Sequence, residues 1–202
     1  MKTEIEAKFL NVDFDEIRLK LVDLGAALEQ PMRLMRRVII DLPNPTPGSF
    51  AFLRVRDEGN KVTMTYKQFD DENLASGAQE IEVTVSDFDS TVRLLEHSGL
   101  KYKSYQETKR ETWRLGDDVE VVLDEWPWLN PYIEIEGVSE QHVKTAAEHL
   151  GFEWKNAVFG AAPQAYQVQY PEGNPRELIT IPRVAFDEPI PDIISGRKVN
   201  EL

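Results

Sequence analysis

The sequence predicts an α+β fold: a mostly antiparallel sheet of about eight strands with three main helices. Three observations carry this. Short runs alternate apolar and charged residues, the period of a strand. Glu-Ile-Glu is written three times, at Glu4-Ile5-Glu6, Glu80-Ile81-Glu82 and Glu134-Ile135-Glu136, each followed by an amphipathic stretch that closes at Gly25, Gly99 or Gly151. The strand runs are joined by short turns, which favours antiparallel neighbours. Residues 1–78 and 79–170 each begin with such a strand and helix, the mark of a repeated unit. Closing the sheet into a β-barrel would remove its edges.

The elements follow in order. Residues 2–10 alternate as a first strand. Asp13 caps a helix with Glu16 as its capping partner; Ile17, Leu21 and Leu24 fall at helical spacing, and Gly25 ends the segment. Residues 33–42 read as a strand, followed by a loop with Pro43, Pro45, Pro47 and Gly48. Residues 50–57 and 61–69 form a hairpin around Glu58-Gly59-Asn60, and 70–78 a polar loop. A strand at 79–85 leads to a helix at 87–98 with Val92, Leu94 and Leu95 as its apolar positions. Strands follow at 102–115, 118–125 and 131–137, and Ser139 caps a third helix carrying Val143, Ala146, Ala147 and Leu150. Prolines 171, 175, 182, 189 and 191 punctuate the remainder. The chain therefore divides into a domain at 1–170 and a proline-rich tail at 171–202, read as an extended or partly disordered appendage, with packing across the domain as the other option.

Composition narrows the functional classes. A net charge of -13 and a pI near 4.7 disfavour general nucleic-acid binding. Without cysteine there is no disulfide, thiolate metal site or cysteine nucleophile. No apolar stretch reaches the roughly 18 residues of a membrane span, and Met-Lys-Thr-Glu-Ile-Glu is too polar for a signal peptide, so a cytoplasmic location is expected. P-loop, Rossmann and nucleophile-elbow motifs are missing. His97, His142 and His149 read as solvent-exposed helix residues. Trp126 and Trp128 flank Pro127 and read as a cover for one end of the barrel, with base stacking as the alternative.

The charges fall into register by strand parity. Glu4, Glu6 and Lys8 share one face; so do Arg54 and Arg56, then Thr63, Thr65 and Lys67, then Glu80 and Glu82, then Glu134 and Glu136. The residues between them are mostly apolar. A solvated surface explains any single pair. A surface repeatedly taking Glu, Arg and Lys suggests convergence if the sheet closes. Two like charges about 4 Å apart repel by about 4 kcal/mol at an effective dielectric near 20. Clustered glutamates therefore call for protons or a hard divalent cation, and clustered Lys and Arg for a polyanion. Together they imply a metal-bound polyphosphate.

These residues resemble the CYTH superfamily of triphosphate tunnel metalloenzymes, which includes class IV adenylate cyclases and thiamine triphosphatases. Glu4-Ile5-Glu6-Ala7-Lys8 fits its Glu-x-Glu-x-Lys signature. Leu53-Arg54-Val55-Arg56, Thr65-Tyr66-Lys67, Glu80-Ile81-Glu82, Lys109-Arg110, Val122-Leu123-Asp124 and Tyr132 to Gly137 follow in the expected order over roughly residues 1–170. The resemblance implies an eight-stranded antiparallel barrel forming a triphosphate tunnel flanked by helices. It implies metal binding by Glu4, Glu6, Glu134 and Glu136 with Mg²⁺ or Mn²⁺. Lys8, Arg37 (or Arg36), Arg54, Arg56, Lys67 and Arg110 would contact the triphosphate; Arg110 is preferred to Lys109, with Asp124 orienting a basic residue. Lys8, Glu82 and Arg56 are the catalytic candidates. The chain departs from the family pattern at Phe159 to Tyr166, where a Ser-Tyr pair is usual, and in the 43–49 loop, which lacks the cyclase histidine and phenylalanine. The implied activity is metal-dependent hydrolysis of tripolyphosphate, thiamine triphosphate or a nucleoside triphosphate. The alternatives are ATP cyclisation to cAMP and pyrophosphate, or a non-catalytic polyphosphate- or nucleotide-binding module. The expected partner is a triphosphate-containing small molecule, without nucleic acid or membrane; a homodimer is compatible with the sequence.

Overall fold

A computed structural model describes residues 5–42, 50–69 and 79–196. Glu4 and the loops at 43–49 and 70–78 lie outside the described residues. Among the described residues there are nine strands: β1 (Ile5–Leu10), β2 (Ala27–Asp41), β3 (Phe50–Asp57), β4 (Val62–Phe69), β5 (Gln79–Val85), β6 (Lys101–Leu115), β7 (Val119–Glu125), β8 (Tyr132–Gly137) and β9 (Arg183–Val184). The helices are α1 (Phe14–Asp23), α2 (Phe88–His97), α3 (Glu140–His149), α4 (Ala162–Gln169) and α5 (Asp192–Ser195).

Eight strands form one antiparallel sheet in the order β1-β8-β7-β6-β2-β3-β4-β5, as the α+β reading requires. β1 and β5 stand at its two ends, and among the described residues no ladder joins them. The free edge of β1 is in use at Lys8, whose main-chain N–H donates to Val158 O and whose C=O accepts from Val158 N, both at 2.9 Å. β2 begins at Ala27, earlier than the sequence reading at 33. Pro31 hides this start because it cannot donate to a ladder. Register shifts between Leu28 and Gln30 and between Gln30 and Arg33 absorb it.

Helices α1, α2 and α3 cover one side of the sheet. Asp13 caps α1 by accepting from the Asp15 and Glu16 amides. Ile17 and Leu21 of α1 and Val143, Ala146, Ala147 and Leu150 of α3 pack on Ala7, Phe9, Val121, Leu123, Ile133 and Ile135. On the other half, α2 covers Val38, Ile40 and Val55 with Phe88, helped by Val92 and Leu95. Leu94 corrects the sequence reading: it is 67% exposed, because Phe88 at the start of α2 supplies the buried contact instead.

Through residue 196 the tail takes the packed option and not the extended one. Leu178, Val184 and Ile194 join Ala165 and Tyr166 of α4 in a cluster with Trp126, Leu129 and Tyr132. β9 pairs in parallel with Tyr105 and Gln106 of β6. Each fully buried Leu, Val or Ile contributes about 1.5–3 kcal/mol relative to exposure. These anchors are too irregularly spaced to leave a helical or strand period, which is why the sequence leaves the segment undecided.

Candidate functional site: a charged face across the sheet

Residues directly opposite each other on paired strands share a face. Glu6 opposes Glu136 and Lys8 opposes Glu134. Asp124 opposes Tyr132 on one side and Arg110 on the other. Gln106, four residues before Arg110, opposes Arg37, which opposes Arg56. Arg54 opposes Thr65, Thr65 opposes Glu82, and Lys67 opposes Glu80. One continuous face, opposite the one covered by α1, α2 and α3, thus carries every described candidate from β1 through β5; α4 and the C-terminal segment pack at its Tyr132 end. Ile5, Ala7, Ile133, Ile135 and Val55 alternate with these positions and pack beneath the helices.

The acidic half lies on β1, β8 and their neighbours. Lys8 is 2% exposed; its Nζ lies 2.7 Å from Glu6 Oε1 and 3.2 Å from Glu134 Oε1. Burial pushes the Glu134 carboxyl up, opposed by the Lys8 charge. Burial acts the same way on Glu6, yet hydrogen bonding with Glu134 and the charge of Lys8 bring it below its ordinary value. Lys8 in turn rises despite burial, because Glu134 and Glu6 both favour its ammonium. Arg110 donates to both Asp124 oxygens at 2.7 and 2.6 Å and reaches Glu134 Oε2 at 3.5 Å.

The cationic half lies on β2, β3 and β4. Arg37 Nε donates to Gln106 Oε1 at 2.8 Å, and its guanidinium carbon sits 4.4 Å from the centre of the Trp126 ring. Burial, reinforced by Arg54 and Arg56, pushes Arg37 down to about 9. Arg54 donates from Nη2 to Thr65 Oγ1 at 3.3 Å, with Glu82 at 3.7 Å, while its buried Nε has no hydrogen-bond partner among the described residues. Burial and Arg56 push it down to about 10. Arg56 is held by Glu58 Oε1 at 2.9 and 2.6 Å, and Lys67 Nζ lies 2.5 Å from Glu80. Four cations on one face, of which Arg37 has no carboxylate partner among the described residues and Arg54 keeps an unpartnered Nε, suit a multiply charged anion.

Residues 2–158 match the model of the CYTH domain. The chain belongs to the CYTH family. Similar folds occur in a Pyrococcus horikoshii OT3 protein (25% identity, TM-score 0.60, 77% of this chain and 94% of that one). Others are a conserved hypothetical protein of Pyrococcus furiosus (21%, TM-score 0.59, 77% and 94%) and a candidate adenylate cyclase of Vibrio parahaemolyticus (13%, TM-score 0.64, 81% and 97%). No curated protein is significantly similar to the chain. No helix among the described residues of this CYTH chain is long and apolar enough to cross a membrane.

Several open choices resolve geometrically. Arg37 faces the charged side, whereas Arg36 turns outward to Asp57, Asp89 and the Phe88 ring. Arg110 faces inward and Lys109 pairs with Glu125. Glu82 accepts from Thr65 Oγ1 at 2.9 Å and so sits with the cations of β3 and β4, not with Glu6 and Glu134. Trp126 packs against Tyr166 and the Arg37 guanidinium, and Trp128 donates to Glu188 O. The three histidines are exposed. Glu4 stays outside the described residues, and among those no three acidic or histidine side chains converge on one point. Sequence reasoning missed Glu58, taken for a turn residue, and Gln106, whose neutral side chain stood out from nothing. The only signal for Gln106 was its parity with Arg110.

Proposed function

We propose that this CYTH chain is a metal-dependent phosphohydrolase acting on a triphosphate: tripolyphosphate, thiamine triphosphate or a nucleoside triphosphate. The observation that carries the reading is the division of one sheet face into a carboxylate half and a cationic half whose Arg37 and Arg54 lack full partnering. Arg37, Arg54, Arg56 and Lys67 are the residues proposed to hold the phosphate oxygens, with Arg110 at the boundary next to Glu134.

The carboxylates fit a hard cation. Glu6 and Glu134 are coupled through Lys8, and Glu136 lies beside them on the same face. A donor set of one or two carboxylates completed by phosphate oxygens and waters suits Mg²⁺ or Mn²⁺, with Glu4 as a further candidate. Such an ion, when bound, offsets phosphate charge and makes a water more acidic.

In the proposed reaction, a water oxygen bonds to the terminal phosphorus and the bridging P–O bond breaks. Orthophosphate and a diphosphate are the products, and the water proton passes to a carboxylate, for which Glu82 is the candidate. Arg56 and Lys8 counter the charge that develops on the phosphoryl oxygens.

A panel of triphosphates assayed with Mg²⁺ and with Mn²⁺ tests the reading. Phosphate release and chromatography of nucleotide products are read together. Phosphate plus a diphosphate supports hydrolysis; cAMP plus pyrophosphate assigns the same face to nucleotide cyclisation; tight binding without turnover leaves a sensing module.

A further inference from the structure

Two arginines on the charged face stand in opposite electrostatic settings. Arg110 is neutralised by Asp124 through two hydrogen bonds and by the nearby Glu134. Arg37 has a neutral partner. Its Nε donates to the Gln106 amide oxygen, its guanidinium carbon lies 4.4 Å from the centre of the Trp126 ring, and among the described residues no carboxylate is within ion-pair distance. Burial works against its charge, and so do the charges of Arg54 and Arg56.

Gln106 is itself held firmly. It is 1% exposed, and its Nε2 donates to Ser104 Oγ at 3.2 Å. Ser104 Oγ donates to Ile181 O at 2.6 Å, and the Gln106 backbone pairs with Val184 of β9. The amide nitrogen therefore points to the serine and the amide oxygen to the arginine. Ile181 and Val184 lie in the C-terminal segment, beyond the CYTH match at 2–158. Glutamate is nearly the same size as glutamine and would hold the guanidinium more strongly, but it would also cancel its charge.

We infer that Gln106 is a positioning residue that aims Arg37 at an anion while leaving its charge uncancelled, and that the C-terminal segment fixes Gln106 in that pose. This deepens the triphosphate reading and rests on it for the identity of the anion. Gln106 acts through Arg37 and does not touch the reacting atoms.

The test compares wild type, Gln106→Glu and Gln106→Met by thermal melting without anion and by calorimetry with tripolyphosphate and Mg²⁺. Gln106→Glu is expected to melt above wild type, because a carboxylate relieves the repulsion among Arg37, Arg54 and Arg56. It is also expected to bind tripolyphosphate at least about tenfold more weakly. Gln106→Met keeps the charge but loses the aim; it should melt at or below wild type and bind a few-fold more weakly. A purely structural glutamine would make both variants less stable and tie weaker binding to lower melting temperature. The inference is overturned if Gln106→Glu melts at or below wild type, or binds tripolyphosphate as tightly. If wild type itself does not bind tripolyphosphate, the triphosphate reading fails, and the anion-free melts still decide the role of Gln106.

Discussion

Asp124 grips Arg110 with both carboxylate oxygens, at 2.7 and 2.6 Å, across the β6–β7 ladder. The Asp124 side chain is 1% exposed, so its charge depends on this partner. The pair fixes the guanidinium beside Glu134 and so joins the acidic half of the face to its centre. Asp124→Ala is expected to destabilise the fold by about 3 kcal/mol, read by denaturant unfolding, since it leaves Arg110 only the longer Glu134 contact among the charges of Arg33 and Arg37. A loss within experimental error would show that the pair is dispensable.

Lys67 gives a pH prediction. Burial and the neighbouring Arg54 hold its ammonium below the ordinary value of 10.5, against the pull of Glu80. In the anion-free protein a depressed lysine favours the unfolded state at low pH, so its contribution to stability improves as pH rises from the folded value toward 10.5. Anion binding has the opposite sign, since it needs the proton. Tripolyphosphate affinity should therefore fall at alkaline pH as Lys67 loses its proton beside Arg37 and Arg54, lowered to about 9 and about 10, and Lys67→Arg should make that decline shallower by removing the lysine's share. Calorimetry across alkaline pH checks this; an unchanged decline in Lys67→Arg would remove Lys67 from the anion site.

The C-terminal segment is expected to be part of the folded unit. Gly173 leaves no room for a side chain, since a Cβ there would lie 1.9 Å from Ile194 O. Gly173→Ala should displace α5 and lower the melting temperature. Leu178→Ala removes a side chain that is 2% exposed and is expected to cost about 2–4 kcal/mol. Melting temperatures equal to wild type in both would mean that the segment adds nothing to stability.

How much of this was legible follows from what each residue had to signal. Strand parity is rigid, so Glu6-x-Lys8, Arg54-x-Arg56 and Glu134-x-Glu136 announced a shared face without coordinates. Asp13 and Ser139 announced helix starts because caps need side-chain acceptors, and both accept from the following helix. The start of β2 was hidden by Pro31, and Leu94 was misjudged because α2 buries only a narrow stripe around Phe88. Gln106 and Glu58 were invisible as partners because their roles depend on which arginine the sheet sets opposite or near them, a tertiary fact. The packing of the tail depends on isolated anchors and a two-residue parallel pairing with β6, neither of which has a period.

The most direct test of the charged face is phosphate release from a triphosphate panel with Mg²⁺, for wild type, Lys8→Ala and Arg56→Ala, with circular dichroism confirming that each variant is folded. The account predicts metal-dependent release by wild type from at least one triphosphate, reduced at least about a hundredfold in both folded variants. Wild-type protein that neither turns over nor binds any triphosphate, or folded variants as active as wild type, would contradict it.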